Sequence, residues 1–148
     1  MTILPISMTM AAIAALLNIW LSIRVGQVRT REKISVGDGG NEAVIRRMRA
    51  HSNYIENTAF VLVLLVLVEL AIGPATWLWA VGAIFFAGRI AHGIGMDGVS
   101  KARMAGTLTT MLTQLGLAIA AVVIVFLTPV AVTDATTTPS GAEEVAPQ

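Results

Sequence analysis

The sequence predicts an all-α integral membrane protein with four transmembrane helices, and three observations lead to this prediction. Hydrophobic residues make up 55% of the 148 residues, and the mean hydropathy is +0.77. These residues come in long runs, which is typical of membrane spans rather than of a small soluble domain. The lysines and arginines all fall at one side of the resulting four-helix map.

The composition also excludes several classes of function. The chain contains no cysteine, so disulfides, thiolate metal sites and a cysteine nucleophile are excluded. Two histidines and the lack of an acidic cluster predict no protein-held metal. The net charge is only +1, and we expect no nucleic-acid partner.

The first predicted helix spans about residues 4–28. Residues 1–23 contain no charged side chain, and at about 1.5 Å per residue they cross a hydrocarbon core of about 30 Å. The alternative is a cleaved signal peptide. We favour a retained helix because the segment lacks a basic start and a small-x-small cleavage site. Asn18, the one strongly polar residue inside it, is interpreted as a hydrogen-bonding partner for another helix.

The second predicted helix spans about residues 42–72. A basic connector, residues 24–40, precedes it, and the glycines at the end of this connector favour a flexible loop. Asn41 is a suitable N-cap for the helix. The helix is longer than the bilayer requires, and Glu69 near its far end is interpreted as a carboxylate at the membrane interface.

The third and fourth helices are predicted over about residues 75–95 and 102–127. Arg89 and His92 lie one turn apart on the third helix, on a common face. Together the four helices form a predicted membrane domain over residues 1–128. The remaining residues, 129–148, are polar without apolar periodicity, and we expect a disordered tail.

The positive-inside rule orients this bundle. The basic residues occupy the first connector, the start of helix two, the end of helix three and the start of helix four. This distribution predicts that the basic loops are cytoplasmic and that both termini lie outside. The expected location is an inner (plasma) membrane of bacterial type.

A polar stripe on the second helix is the main candidate for function. At about 100° per residue, one face carries alternating donors and acceptors, while His51, Tyr54 and Arg47 fall on the other side. The stripe consists of Glu42, Arg46, Arg49, Asn53, Glu56 and Asn57. Such a stripe satisfies either itself or a zwitterionic ligand. Glu56 accordingly either pairs with Arg49 or binds a ligand ammonium group.

Two motifs resemble those of the MAPEG family, the membrane-associated proteins of eicosanoid and glutathione metabolism. The first is Arg49-Ala50-His51-Ser52-Asn53-Tyr54-Ile55-Glu56-Asn57, and the second is Arg89-Ile90-Ala91-His92-Gly93. The resemblance covers about residues 5–127. It implies a left-handed four-helix bundle that assembles as a homotrimer in the lipid bilayer. It also implies that glutathione, as co-substrate, lies between adjacent subunits near the cytoplasmic face.

The resemblance also implies the roles of individual residues. Arg103 falls where some family members carry an arginine that stabilises the thiolate, and it is the predicted catalytic residue. The residues implied in glutathione binding are Arg29, Arg49, His51, Asn53, Glu56, Arg89 and His92. No metal is implied.

The implied activity is that of a glutathione transferase acting on a lipophilic electrophile, with reduction of lipid hydroperoxides as a second reaction. Met96 departs from the family pattern, since several catalytic members carry a tyrosine there. The alternative is therefore a non-catalytic protein of the same fold that binds a lipid or another apolar ligand. A proton-coupled four-helix exporter is a third hypothesis, but residues 1–23 lack the carboxylate that such coupling needs.

Overall fold

The computed structural model describes residues 3–127, which form four α-helices and, within that range, no β-strand. The helices are α1 (Pro5–Arg31), α2 (Glu42–Ile72), α3 (Thr76–Gly95) and α4 (Ser100–Leu127). Each helix is long and apolar enough to cross a membrane. The predicted all-α architecture with four membrane-spanning helices is confirmed.

The bounds of α2 follow from its two terminal residues. The side-chain oxygen of Asn41 accepts hydrogen bonds from the backbone N–H groups of Ala43 (3.0 Å) and Val44 (3.2 Å). These bonds satisfy amides that have no partner within the helix. At the other end Gly73 adopts φ +77°, a conformation that favours glycine and ends the helix.

The first helix is longer than the sequence prediction. It continues to Arg31, so nearly half of the predicted basic connector, residues 24–31, is helical. The glycines that end regular structure begin only at Gly37, and basic side chains are favourable in the last turn of a helix. Smaller differences are the starts of α3 at Thr76 and of α4 at Ser100. The predicted disordered tail, residues 129–148, lies outside the described residues.

The bundle is built from antiparallel neighbours joined by short connections. The most extensive contacts join α3 to α4 and α1 to α2, and α2 also packs against α4. Glycine allows the α3–α4 approach. A Cβ atom added to Gly106 would lie 2.6 Å from Cβ of His92, and one added to Gly88 would lie 2.8 Å from the side chain of Thr109. Small residues at this contact therefore allow α4 to pack closely against His92 of α3.

The two ends of the bundle differ in chemistry. The loop 32–41 and the turn 96–99 lie at the same end, and with the adjoining helix termini we call this the basic end. At the opposite end, Glu69 is only 1% exposed. Its carboxylate accepts hydrogen bonds from the backbone N–H groups of Ile6 (3.0 Å) and Ser7 (2.7 Å) and from the hydroxyl of Ser7 (2.5 Å). Glu69, interpreted from the sequence as an interface carboxylate, thus has a specific partner in the structure, because it caps the first turn of α1 from another helix.

The outward surface between the two ends is apolar. On α4, the side chains of Leu108, Leu112, Leu115 and Ile119 are all more than half exposed. A contiguous apolar surface of this extent is suited to contact with lipid chains or with another protein surface.

Candidate functional site

A polar pocket opens between α2 and α3 at the basic end, and it gathers four of the predicted site residues. Its volume is about 310 Å³. The residues that line it are Arg49, Ser52, Asn53 and Glu56 of α2 together with His92 of α3 and Met96. We call it the α2–α3 pocket.

The helical spacing explains why these side chains meet. The four α2 residues follow an i, i+3, i+4, i+7 pattern, which is one face of an α-helix. His92 and Met96 are four residues apart and share a face in the same way. Three of the six residues of the polar stripe predicted on the second helix, Arg49, Asn53 and Glu56, therefore lie in one wall of the pocket, whereas Glu42, Arg46 and Asn57 do not line it. Ser52 was not predicted as a site residue, although its spacing to Arg49 and Glu56 places it on the same face.

Arg89 lies behind this pocket and is tied to it by a hydrogen bond. Its side chain is 1% exposed. One terminal nitrogen donates to Oδ1 of Asn53 at 2.8 Å, and the other donates to Oγ1 of Thr110 at 2.9 Å. The guanidinium also lies over the ring of Tyr54, at 5.8 Å from the centroid. All three neighbours are neutral groups. The role of Thr110 became visible only in the structure, because it depends on the packing of α4 against α3.

The buried polar groups around Arg89 are incompletely satisfied. Within residues 3–127, Arg89 forms no ion pair, and its Nε atom is buried without a hydrogen-bond partner. Nδ1 of His92 is also buried without a partner. A buried cation that lacks a counter-charge is costly, particularly at membrane depth. The neighbourhood of the pocket thus has an excess of positive charge and of donors.

Arg49 and Glu56 bring opposite charges to the mouth of the pocket. Both side chains are exposed, and in the part of the chain that the structure describes they form no ion pair with each other. Of the two alternatives for Glu56, pairing with Arg49 is therefore not observed. The guanidinium and the carboxylate are both available to a ligand that carries charges of both signs.

Arg103 lies in a second, neighbouring cavity rather than in the α2–α3 pocket. This cavity has a volume of about 360 Å³ and is lined by residues of the α2 start, of the α3–α4 turn and of the α4 start. Met96 lines both cavities. The predicted catalytic residue therefore lines a cavity that shares one residue, Met96, with the α2–α3 pocket.

Two predicted site residues lie elsewhere on the subunit. His51 faces α1, where its Nε2 atom lies 2.8 Å from Oδ1 of Asn18, and this contact is the interhelical hydrogen bond predicted for Asn18. Arg29 donates to the backbone oxygen of Ser35 at 3.1 Å and contacts the sulfur of Met48 at 3.4 Å. The seven residues implied in glutathione binding are thus not gathered in one pocket of a single subunit.

The chemistry of the pocket is that of ligand binding by charge and hydrogen bonds. Among the described residues, no group of three or more His, Asp or Glu side chains is placed to hold a metal ion. The pocket instead offers a guanidinium, a carboxylate, an amide, a hydroxyl and an imidazole. These groups can bind the carboxylates and the ammonium of a small zwitterion.

Comparison with models of protein families gives a match over most of the chain. No match to the chain was found among curated protein sequences. The family model described as the MAPEG family matches residues 7–123. This range contains every residue of the α2–α3 pocket and all four helices, except for the start of α1 and the last turn of α4. The chain therefore belongs to the MAPEG family.

Proposed function

We propose that the protein is a glutathione-dependent membrane transferase that also reduces lipid hydroperoxides. The observation that carries this proposal is the buried Arg89, which has no carboxylate partner among residues 3–127 and is bonded to Asn53 in the wall of the α2–α3 pocket. An anionic ligand in this pocket would supply the missing counter-charge. The MAPEG family includes glutathione transferases and peroxidases, and glutathione is an anion of suitable chemistry.

The charges of the pocket suit the charges of glutathione. The tripeptide carries two carboxylates, one ammonium group and a thiol. Arg49 is suited to bind a carboxylate through its planar fork of donors, and Glu56 is suited to accept the ammonium group. Asn53 and Ser52 add neutral hydrogen-bonding groups to the same wall.

The proposed reaction begins with ionisation of the bound thiol. A nearby guanidinium favours the thiolate, and we assign this role to Arg103 across Met96. The thiolate sulfur then forms a bond to the electrophilic carbon, and the leaving group departs with the bonding electrons. With a hydroperoxide, two glutathione molecules are oxidised to the disulfide, while the hydroperoxide is reduced to an alcohol and water.

We further propose that the complete site lies between two copies of the chain in a homotrimer. Arg29 and His51 do not line the α2–α3 pocket. Arg29 lies on α1 and contacts Met48 of α2, and His51 lies on α2 and contacts Asn18 of α1, so both belong to the contact between these helices, which we call the α1-facing side of the subunit. A ligand held between copies would touch the α2–α3 pocket of one subunit and this other side of its neighbour. The excess of basic residues at the same end of the bundle supports a cytoplasmic location for the site in an inner (plasma) membrane.

A non-catalytic, ligand-binding role is the second candidate, and Met96 favours it. This side chain lines the pocket four residues beyond His92, where a tyrosine of a catalytic family member would present a hydroxyl group. Methionine is a weak acceptor and cannot donate a hydrogen bond to a thiolate. In this role the protein would bind an apolar ligand reversibly and turn over no electrophile.

The test is glutathione binding to the purified, detergent-solubilised protein, followed by the ultraviolet absorbance of the thiolate across pH. We expect saturable binding that Arg49→Gln and Glu56→Gln each weaken about tenfold, because each removes one charged contact. We expect Arg103→Gln to preserve binding but to raise the thiol pKa by about one unit. Lys101→Gln is the matched control, because Lys101 is exposed and does not line the pocket.

The outcomes separate the two candidates. Folded protein that binds no glutathione would refute the transferase. Binding with an unchanged thiol titration in Arg103→Gln would remove Arg103 from the mechanism. Binding without turnover across varied electrophiles and hydroperoxides would favour the non-catalytic role.

A further inference from the structure

A larger cavity lies at the basic end between α1 and α2, and of its lining residues only Met96 also lines the α2–α3 pocket. Its volume is about 730 Å³. Side chains from the end of α1, the start of α2 and the α3–α4 turn line it, among them Gln27, Arg31, Asn41, Arg46, Arg47 and Asp97. We call it the α1–α2 cavity. Neither the proposed reaction nor the residues implied in glutathione binding make use of it.

The ion pairs around this cavity leave a net excess of one positive charge. Asp97 is shared by two arginines, since it pairs with Arg24 and also with Nε of Arg47 at 2.9 Å. Arg46 pairs with Glu42 at 2.5 Å, and Arg31 pairs with Glu32 at 2.8 Å. Four guanidinium groups are therefore paired with three carboxylates, and the excess charge lies where Asp97 is shared by two arginines. Arg24 and Glu32 lie outside the cavity lining, which itself carries three arginines and two carboxylates.

The arginines also keep unused donors. In the ion pairs described for residues 3–127, Arg31 and Arg47 each engage through Nε, which leaves their terminal nitrogens for another acceptor. A guanidinium presents its donors as a planar fork that matches the oxygens of a phosphate group. The backbone amides at the start of α2 contribute less, because the Asn41 side chain already accepts hydrogen bonds from two of them.

From the cavity, the charge excess and the free donors together, we propose that the α1–α2 cavity binds a phosphate group. The chemistry fits the headgroup of an acidic phospholipid and also a soluble phosphate ester. The cavity lies at the ends of two helices that are long and apolar enough to cross a membrane, and lipid headgroups meet the ends of such helices. The inference does not rest on the proposed function, because its residues are distinct from Arg49, Asn53 and Glu56.

The experiment uses the full chain in nanodiscs made of phosphatidylcholine alone or with added phosphatidylglycerol. The readouts are the unfolding temperature and the amount of phosphatidylglycerol retained in native mass spectrometry. A parallel series adds inorganic phosphate or glycerol 3-phosphate to phosphatidylcholine nanodiscs at constant ionic strength. Stabilisation by phosphatidylglycerol alone identifies a lipid headgroup as the ligand, whereas stabilisation by the soluble phosphates identifies a soluble ligand.

The variants are the double change Arg31→Gln/Arg47→Gln, the single change Arg31→Gln, and the control Lys101→Gln. We expect about tenfold weaker retention in the double variant and about threefold weaker retention in Arg31→Gln, while the control retains the wild-type value. Arg31→Gln keeps the test valid if loss of the Arg47–Asp97 pair unfolds the double variant, because the Arg31 side chain is 69% exposed. No response of the wild type to any phosphate probe, or equal responses in Arg31→Gln and Lys101→Gln, would overturn the proposal.

Discussion

Arg89 on α3 donates a 2.8 Å hydrogen bond to Oδ1 of Asn53 on α2, and this bond joins a buried guanidinium to the wall of the α2–α3 pocket. A neutral amide satisfies a donor but does not neutralise a charge. The pairing therefore stabilises Arg89 less than a carboxylate would. We infer that Arg89 is available to form an ion pair with an anion that enters the pocket.

The first prediction follows from this pairing. Arg89→Met removes the buried charge and leaves only neutral groups, so we expect folding to be preserved or stabilised by about 1–4 kcal/mol. Thr110 retains its 2.8 Å hydrogen bond to the backbone oxygen of Gly106. Glutathione affinity should fall about tenfold, measured by titration calorimetry in detergent. Unchanged affinity in the folded variant would show that Arg89 is not the counter-charge of the ligand.

Asn53→Asp tests the same relationship from the other side. The new carboxylate would pair with Arg89 at the position of the present amide. We expect a higher unfolding temperature together with weaker glutathione binding, because the site then carries its own anion. If binding instead became tighter, the anion of the ligand would not lie near Arg89.

The second prediction concerns Met96, which lines both the α2–α3 pocket and the cavity of Arg103. Met96→Tyr would supply a hydroxyl donor between the two. We expect it to lower the pKa of the bound thiol by about one unit and to raise the turnover of a model electrophile about tenfold. Met96→Phe is the control, because it supplies the ring without the hydroxyl. Equal effects of the two variants would assign the change to packing alone.

The third prediction concerns the close approach of α3 and α4. A methyl group at Gly106 would clash with the backbone and Cβ of His92, whereas one at Gly116 would meet no atom within 4 Å. We expect Gly106→Ala to lower the free energy of unfolding by about 1–3 kcal/mol and to weaken glutathione binding by displacing His92. Gly116→Ala should stabilise α4 by up to about 1 kcal/mol. Equal unfolding temperatures of the two variants would contradict this account.

The fourth prediction concerns the buried cap at the far end of the bundle. Glu69→Gln replaces a carboxylate that accepts three hydrogen bonds with an amide that has only one acceptor oxygen. We expect a loss of about 1–3 kcal/mol in the free energy of unfolding, and a smaller loss of about 1 kcal/mol for Ser7→Ala. Glutathione affinity should not change, because the cap lies at the end opposite the pocket. A Glu69→Gln variant as stable as the wild type would contradict the capping role.

The elements of this fold are predictable from local signals, and the bounds of α2 show why. Asn41 and Gly73 are residues whose own chemistry starts and stops a helix. The α2 wall of the pocket was predictable for a similar reason, because the spacing of Arg49, Asn53 and Glu56 follows helical periodicity alone. The end of α1 was not predictable from the sequence, since a basic terminal turn and a basic loop have similar composition.

The partners of the polar residues required the tertiary structure. Glu69 meets Ser7 across 62 positions, and Arg89 meets Asn53 across 36. No local pattern indicates which helix lies opposite a given side chain. The position of His51 outside the α2–α3 pocket also required the tertiary structure, because it depends on the packing of α1 against the face of α2 that carries His51.

The last prediction uses this separation to test whether the site lies between copies. One variant subunit carries Arg49→Gln and Glu56→Gln, which damage the α2–α3 pocket. The other carries Arg29→Gln and His51→Ala, which damage the α1-facing side.

Each variant alone should bind glutathione at least about tenfold more weakly than the wild type. In a trimer that contains both kinds of subunit, one of the three interfaces joins an intact pocket to an intact α1-facing side. Co-expressed, doubly tagged assemblies should therefore regain wild-type affinity at about one third of the wild-type capacity. If the whole site lay within one subunit, mixing would create no new combination of residues, and the mixed assemblies would bind as the average of the two parents.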